Sequence, residues 1–578
     1  MKQILSICRR GFLRFDQSGK RALFVYVLSL VVTAGIDGWA LRLVSKVLNR
    51  GLYLKTTDSL DAEINSMFLV VGLFVLRSAL AVLISFLMVK KIANQEVLIG
   101  SENFARIQSG PWENKQGGNL SDLYAKVDRG PHALTQGLMF YCATVIAEMA
   151  SAAVIFLAIV FLQPITAVTT AAYFSLLAVL QHKLVSVATK SAGQLTLDKG
   201  NRVYDILGDT FRLGKLLHVM HSKSLNEVLQ NERNEYALAR SRSLFYESFP
   251  RYLMEASLAL GFVIIASSSY VFGGPSRVVP ALALFAVAGF RLLPSVNRIQ
   301  GLILSIISKA AVAEEALSVP PLVLETSLKN VGLGDNPNTD TEVLKLNSVR
   351  YRYPNANEDS LKETNLTFEK GFMYAIVGPS GAGKTTLVDV CLGLLKPTSG
   401  EVDRKGMSLR YGYVPQNTHM ASISLEENVA LEWDSLVVNS EQVVASMRKS
   451  FIADVFDGRS GENNSSHMSG GQMQRIGIAR ALYRNSNFLV LDEATNSLDA
   501  SVEDKIIGLI ENLRQKITIV VVAHRLTTVR NADKVIYIEN GVIMGIGSFA
   551  ELQEQIPAFA NQVNLGLFSI NESGVGKL

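Results

Sequence analysis

Apolar positions are distributed unevenly along the chain. Windows of about 20 predominantly apolar residues, the length a helix needs to cross a hydrocarbon layer, occur six times in the first 306 positions and not afterwards. They fall at roughly 22–44, 67–89, 138–162, 164–185, 252–272 and 278–300. Each is long enough to cross a bilayer as a helix, the form that satisfies its backbone groups within the segment. Between 186 and 251 apolar positions recur among charges at helical spacing, as in Val203, Ile206, Leu207 and Phe211, and predict helix projecting beyond the membrane. Pro320-Pro321 and then Gly332, Gly334, Asn336, Pro337 and Asn338 predict a linker over 321–342. From Val343 on, short apolar runs alternate with helical stretches, the mark of an α/β domain.

Composition agrees with a membrane assignment for the first part. Hydrophobic residues make up 48% and charged residues 19%, against about 25% charged in soluble domains, and the mean hydropathy is +0.24. With 43 Gly and 15 Pro in no period and a net charge of +5, the chain is neither disordered nor fibrous. Cys8, Cys142 and Cys391 are too dispersed to indicate a disulfide framework. The first span is too long, and lacks the small-residue cleavage pattern, for a removable signal. With the N-terminus in the cytoplasm, the inner connections carry 22 Lys and Arg and the outer ones 4, so the excess of basic residues puts both ends inside.

The second part carries recognisable chemistry. The apolar run Met373 to Val377 predicts a buried strand, and Gly378-Pro379-Ser380-Gly381-Ala382-Gly383-Lys384-Thr385-Thr386 follows it into an apolar helical stretch. This is a P-loop in its strand-to-helix setting. Glycines let backbone N–H groups close around phosphates, and the helix N-terminus adds partial positive charge. Lys384 is expected on the β and γ phosphates of ATP and Thr385 on Mg²⁺. A second apolar run, Phe488 to Leu491, ends in Asp492-Glu493, where one carboxylate suits the metal and the next suits polarising a water.

Ser469-Gly470-Gly471-Gln472 precedes the helical run Met473 to Arg484 and resembles the signature motif of ATP-binding cassette proteins, another helix start fit to face a phosphate. The resemblance implies that each nucleotide is shared between two cassettes, and further matches follow residue by residue. Tyr353 resembles the aromatic that stacks on adenine. Gln416, after Val414-Pro415, resembles the glutamine that touches metal and water. Ser497-Leu498-Asp499 resembles the loop that crosses to the partner cassette, and His524 resembles the switch histidine near the γ phosphate. Gly461-Glu462-Asn463 is similar to a loop of the family's exporters. Two departures are small: Met468 stands where the signature usually begins with Leu, and Asn496 precedes Ser497-Leu498-Asp499 where Ser-Ala-Leu-Asp is commoner.

The expected fold is therefore a multi-domain membrane protein: a six-helix all-α transmembrane domain of the exporter type over 1–320, then an α/β P-loop nucleotide-binding domain over 343–578. Six spans fused ahead of one cassette resemble an exporter half-transporter, which implies a homodimer in a bacterial inner membrane. The resemblance also implies short coupling helices in the two long inner connections, near Trp112 to Leu120 and Leu207 to Leu216. The 21 residues ahead of the first span leave no room for the peptidase domain of some peptide exporters.

The cargo is sought among polar groups in the spans. Arg77 lies mid-span two, Arg291 and Arg298 share one face of span six with Pro294 between them, and Arg251 opens span five. An arginine at mid-bilayer costs at least about 2.5–3.5 kcal/mol, so it marks a substrate path or a buried partner; Asp37, Glu148 and Glu255 are the candidate partners. Arg77, Arg251 and the segment Arg291 to Ser295 resemble the flippases of lipid-linked oligosaccharides in bacterial protein glycosylation, where guanidinium suits a pyrophosphate. The alternatives are a lipid-A-type flippase or a multidrug exporter. A soluble ATPase acting on nucleic acid or the ribosome is opposed by the six spans, and a channel is separated by lipid-stimulated ATPase.

Overall fold

In the computed structural model the described residues are 2–51, 60–114, 119–162, 164–212, 223–320, 342–354, 356–404, 409–452, 468–494, 500–523 and 525–564. They form two compact units, Met1–Gly110 with Asn114–Val323, and Pro111–Glu113 with Leu324–Leu578. The expected linker lies, except for Glu342, outside the described residues.

The first unit is helical. A short amphipathic helix, α1 (Lys2–Arg14), precedes α2 (Gln17–Gly51), α3 (Leu60–Ser109), α4 (residues 120–162), α5 (Pro164–Arg212), α6 (Lys223–Gly273) and α7 (Pro275–Ser318). Each of the six expected spans lies within one of α2 to α7. Five of these helices are apolar and long enough to cross a membrane among the described residues; the sixth expected span lies on α7, several of whose side chains are outside the description. The helices outrun the apolar windows, as in Lys223–Gly273, where the stretch ahead of the fifth window continues as helix rich in charged residues. α4 includes π-helical turns at Ala125–Arg129 and Ala133–Phe140. Large apolar side chains point outward, among them Phe68, Val82, Phe86, Phe161 and Leu176, as expected for a bundle whose surroundings are lipid or a second bundle rather than water.

Polar contacts concentrate at the C-terminal end of α7. Asn103 of α3, fully buried, donates to Lys126 O and to Ala316 O at 2.9 Å each and accepts from Arg14 at 2.7 Å. Arg10 pairs with Glu314 at 2.8 Å. Ser308 donates to Glu247 of α6 at 3.0 Å, and Lys309 donates to the Tyr141 hydroxyl at 3.4 Å. Gly193 of α5 lies so near α7 that a Cβ there would sit 2.3 Å from Ser308 O, so the helices approach through a bare backbone.

The second unit holds two sheets. β1 (Glu342–Tyr351), β2 (Leu361–Glu369) and β4 (Ser399–Asp403) form an antiparallel sheet in the order β2-β1-β4. The main sheet runs β5 (Tyr411–Val414), β6 (Phe488–Asp492), β7 (Thr518–Val522), β3 (Met373–Val377), β8 (Lys534–Glu539), β9 (Val542–Gly547). All of its pairings are parallel except β8 with β9. Its central strands β3, β6, β7 and β8 read as continuous apolar runs because both faces are covered. Ala375, Leu489, Leu491 and Val521 face one core, and Tyr374, Ile376, Val490 and Val520 face the other. Helix α8 (Lys384–Cys391) follows β3. α9 (Leu425–Ala430), α10 (Ser440–Lys449) and α11 (Gly470–Tyr483) are joined by an apolar cluster in which Met468 packs, which explains why methionine serves there in place of leucine. After β6 come α12 (Ala500–Leu513), α13 (Leu526–Arg530), α14 (Phe549–Gln555) and α15 (Pro557–Asn564).

Candidate functional site

Parallel strands bring their C-terminal ends to one edge, where the crevice of an open α/β sheet binds ligands. Here β3 ends at the glycine-rich loop, β6 at Asp492 and Glu493, and β5 just before Gln416. β7 ends two residues ahead of His524, which is outside the described residues, as are Asp499 and the segment Gly461-Glu462-Asn463.

The loop after β3 turns through Gly378, Ser380 and Gly381, and Gly383 caps α8 in the left-handed region at φ +101°. A Cβ on Gly383 would stand 2.6 Å from Ser360 O, so glycine is required for both conformation and space. Lys384 is buried and donates to Gly378 O at 2.8 Å and to Pro379 O at 2.9 Å. Burial pulls its ammonium below the ordinary range, while the charges of Glu493 and Asp492 act the other way. Thr385 presents an exposed side chain at the helix start and Thr386 a buried one. The Tyr353 hydroxyl lies 3.4 Å from Thr386 Oγ1, which places this half-buried ring beside the loop.

Gln416 donates from Nε2 to Glu493 Oε2 at 2.8 Å. Glu493 itself sits at φ +50°, a sparsely populated conformation for a side-chain-bearing residue that clusters at functional sites. Its backbone is held by Val522 O, which accepts from Glu493 N at 3.3 Å, and by Gln474, which donates to Glu493 O at 3.3 Å. Asp492 accepts from the Tyr413 hydroxyl at 3.2 Å. Thr385, Asp492 and Gln416 each carry a hard oxygen donor of the type Mg²⁺ takes. Ser469 and Gln472 form a reciprocal capping box at the start of α11, 3.3 Å and 2.9 Å, with Gly470 and Gly471 as its first turn. The signature residues thus make a defined, open helix start.

Three contributors were not singled out in the sequence. Gln474 is 2% exposed and carries no helical signal beyond an ordinary polar residue, Tyr413 stands exposed on the four-residue strand β5, and Asp389 lies on α8. Burial and the nearby Asp492 charge push the Asp389 carboxyl up to about 6. A carboxyl raised on folding binds protons more tightly in the native state, so its penalty appears as pH rises from about 4 through 6. Asp389→Asn is therefore expected to raise thermal stability at pH 7.5 and change it little at pH 4, read by thermal unfolding at the two values.

The arginines of the helical unit divide. Arg251 is exposed and pairs with Glu255 one turn along α6 at 2.9 Å, and Arg298 pairs with Glu148 of α4 at 3.1 Å. Arg77 is half-buried on α3, and the Arg291 side chain is outside the described residues, as is that of Asp37.

Comparison with known proteins defines the class of fold. Residues 361–496 match the ABC transporter family. The chain superposes on a bacterial Atm1-family ABC exporter with ATP bound, with a TM-score of 0.77 at 17% identity over 97% of this chain and 100% of the other. The fold is that of an ABC exporter: a helical membrane-type half followed by an α/β nucleotide-binding domain. Among curated relatives, an ATP-dependent lipid A-core flippase of Ralstonia nicotianae is 33% identical over 38% of this chain and 40% of its own length. A beta-(1-->2)glucan export ATP-binding/permease protein of Mesorhizobium japonicum is 32% identical over 41% and 42%. ABC transporter B family member 13 of Arabidopsis thaliana is 33% identical over 38% and 19%. The chain thus spans between about a fifth and two fifths of the length of these relatives.

Proposed function

We propose that this protein is an ATP-driven exporter or flippase that moves an anionic amphiphile, a lipid-linked oligosaccharide carrying phosphate or pyrophosphate, across a bacterial inner membrane as a homodimer with cytoplasmic ends. The observation that carries the ATPase half is the convergence of the Lys384 loop, Asp492, Glu493 and Gln416 on one sheet edge. In this reading Tyr353 carries the base, Gly378 to Thr386 and Lys384 the phosphates, and Ser469 to Gln472 with Asp499 those of the partner's nucleotide. Glu493 polarises the attacking water, and Gln416 and His524 are assigned to assist it. Thr385, Asp492 and Gln416 would hold Mg²⁺, whose chemistry is to neutralise charge on the transferring phosphate.

The cargo reading rests on Arg77, Arg251, Arg291 and Arg298 along the helices, and draws support from relatives named for lipid A-core and for a glucan. Of the four, Arg77 and Arg291 are the contacts assigned to phosphate. A lipid-A-type flippase and a multidrug exporter are the rival readings. Reconstitution in liposomes tests it: a polyprenyl-pyrophosphate-linked sugar should stimulate ATP hydrolysis and become accessible on the opposite leaflet only with ATP. Stimulation by lipid A or a cationic drug, with none by the polyprenyl pyrophosphate, would select a rival.

A further inference from the structure

Tyr353 follows β1 outside any strand or helix, so no ladder of backbone bonds sets the plane of its ring. Side-chain neighbours do. The ring meets that of Tyr351 edge to face, centroids 4.9 Å apart and planes at 90°, an arrangement worth about 0.5–1.5 kcal/mol beyond area burial. Tyr351 ends β1, is 1% exposed, and donates its hydroxyl to Glu113 Oε1 at 3.1 Å. A buried phenol needs a partner, and a carboxylate makes the stronger, charge-assisted kind of bond. Burial and that carboxylate push the Tyr351 hydroxyl well above its ordinary range, which keeps it protonated, as a donor must be, at any physiological pH. Glu113 lies on the single 3-10 turn Trp112–Asn114, 238 residues earlier in sequence, and Pro111–Glu113 belongs to the same compact unit as the cassette.

We propose that Glu113 is a positioning residue for nucleotide-base recognition: its carboxylate fixes Tyr351, and Tyr351 fixes the face of Tyr353 on which a purine stacks. This rests on the reading of Tyr353 as the base platform. It assigns a share of base affinity to a segment that contains none of the nucleotide motifs.

The test compares a ligand with a base and one without. Binding of ATP and of inorganic tripolyphosphate is measured on the full chain for wild type, Glu113→Ala, Glu113→Gln, Tyr351→Phe and the Glu113→Ala/Tyr351→Phe double variant. Glu113→Ala and Tyr351→Phe are each expected to weaken ATP binding about 3- to 10-fold, with tripolyphosphate affinity and turnover at saturating ATP unchanged. Glu113→Gln keeps an acceptor and falls between. The double variant matches the weaker single one, because both changes break one bond. Unchanged ATP affinity in both single variants, equal weakening of ATP and tripolyphosphate, or additive losses would each overturn the proposal. If wild type itself binds ATP no better than tripolyphosphate, the platform reading of Tyr353 falls, and this inference falls with it.

Discussion

Glu493→Gln is expected to keep ATP binding and slow hydrolysis by about 10²-fold or more. A positioned general base contributes roughly 10²- to 10⁴-fold, and glutamine preserves the shape of the side chain while removing the basic oxygen. The surroundings favour a clean result. The backbone at 493 is set by Val522 O and by Gln474, neither of which depends on the carboxylate. Lys384 and Asp492, the residues assigned to phosphate and metal, are untouched. Equilibrium binding of labelled ATP together with single-turnover hydrolysis separates the two effects. Near-wild-type turnover would remove Glu493 from the reaction.

Replacing Arg77 and Arg291 by alanine is expected to abolish lipid flipping while basal ATP hydrolysis survives. A desolvated guanidinium-phosphate contact is among the stronger polar interactions, and a dianionic head group must be drawn out of water. The competing account makes the arginines structural partners of carboxylates, in which case their loss leaves a buried charge alone and costs about 3–5 kcal/mol of stability. Among the described residues Glu148 and Glu255 are paired with Arg298 and Arg251. Thermal unfolding of the double variant distinguishes the accounts. A stable, ATPase-active double variant that still flips at the normal rate would defeat the phosphate assignment and favour a multidrug exporter.

What was readable in sequence was local. The phosphate loop lies between a strand and a helix contiguous with it, so its residues declare themselves in one run, and β6 likewise carries Asp492 and Glu493 at its own end. The long apolar helices were readable because a run of about 20 apolar residues constrains the length and composition of every residue in the segment. The Arg251–Glu255 pair was implicit in its four-residue spacing, whereas Arg298 and Glu148 meet only because α7 packs on α4. Asp389 and Gln474 could not be foreseen, since their placement follows from which faces of α8 and α11 turn inward once the strand order is fixed. Glu113 is the extreme case, because nothing in a three-residue turn announces a tyrosine 238 residues away.

The C-terminal end of α7 is a clamp shared by the helical unit. Residues 308–316 are bonded to α1 through Arg10, to α3 through Asn103, to α4 through Tyr141 and to α6 through Glu247, and are pressed against α5 at Gly193. Five helices thus meet over nine residues, and displacing any one of them there breaks a contact just named. Farther up α7, Pro280 and Pro294 each remove a backbone donor and weaken the helical ladder. The helix is thus most constrained where it is clamped, and its own ladder is weakest in the half that precedes the clamp.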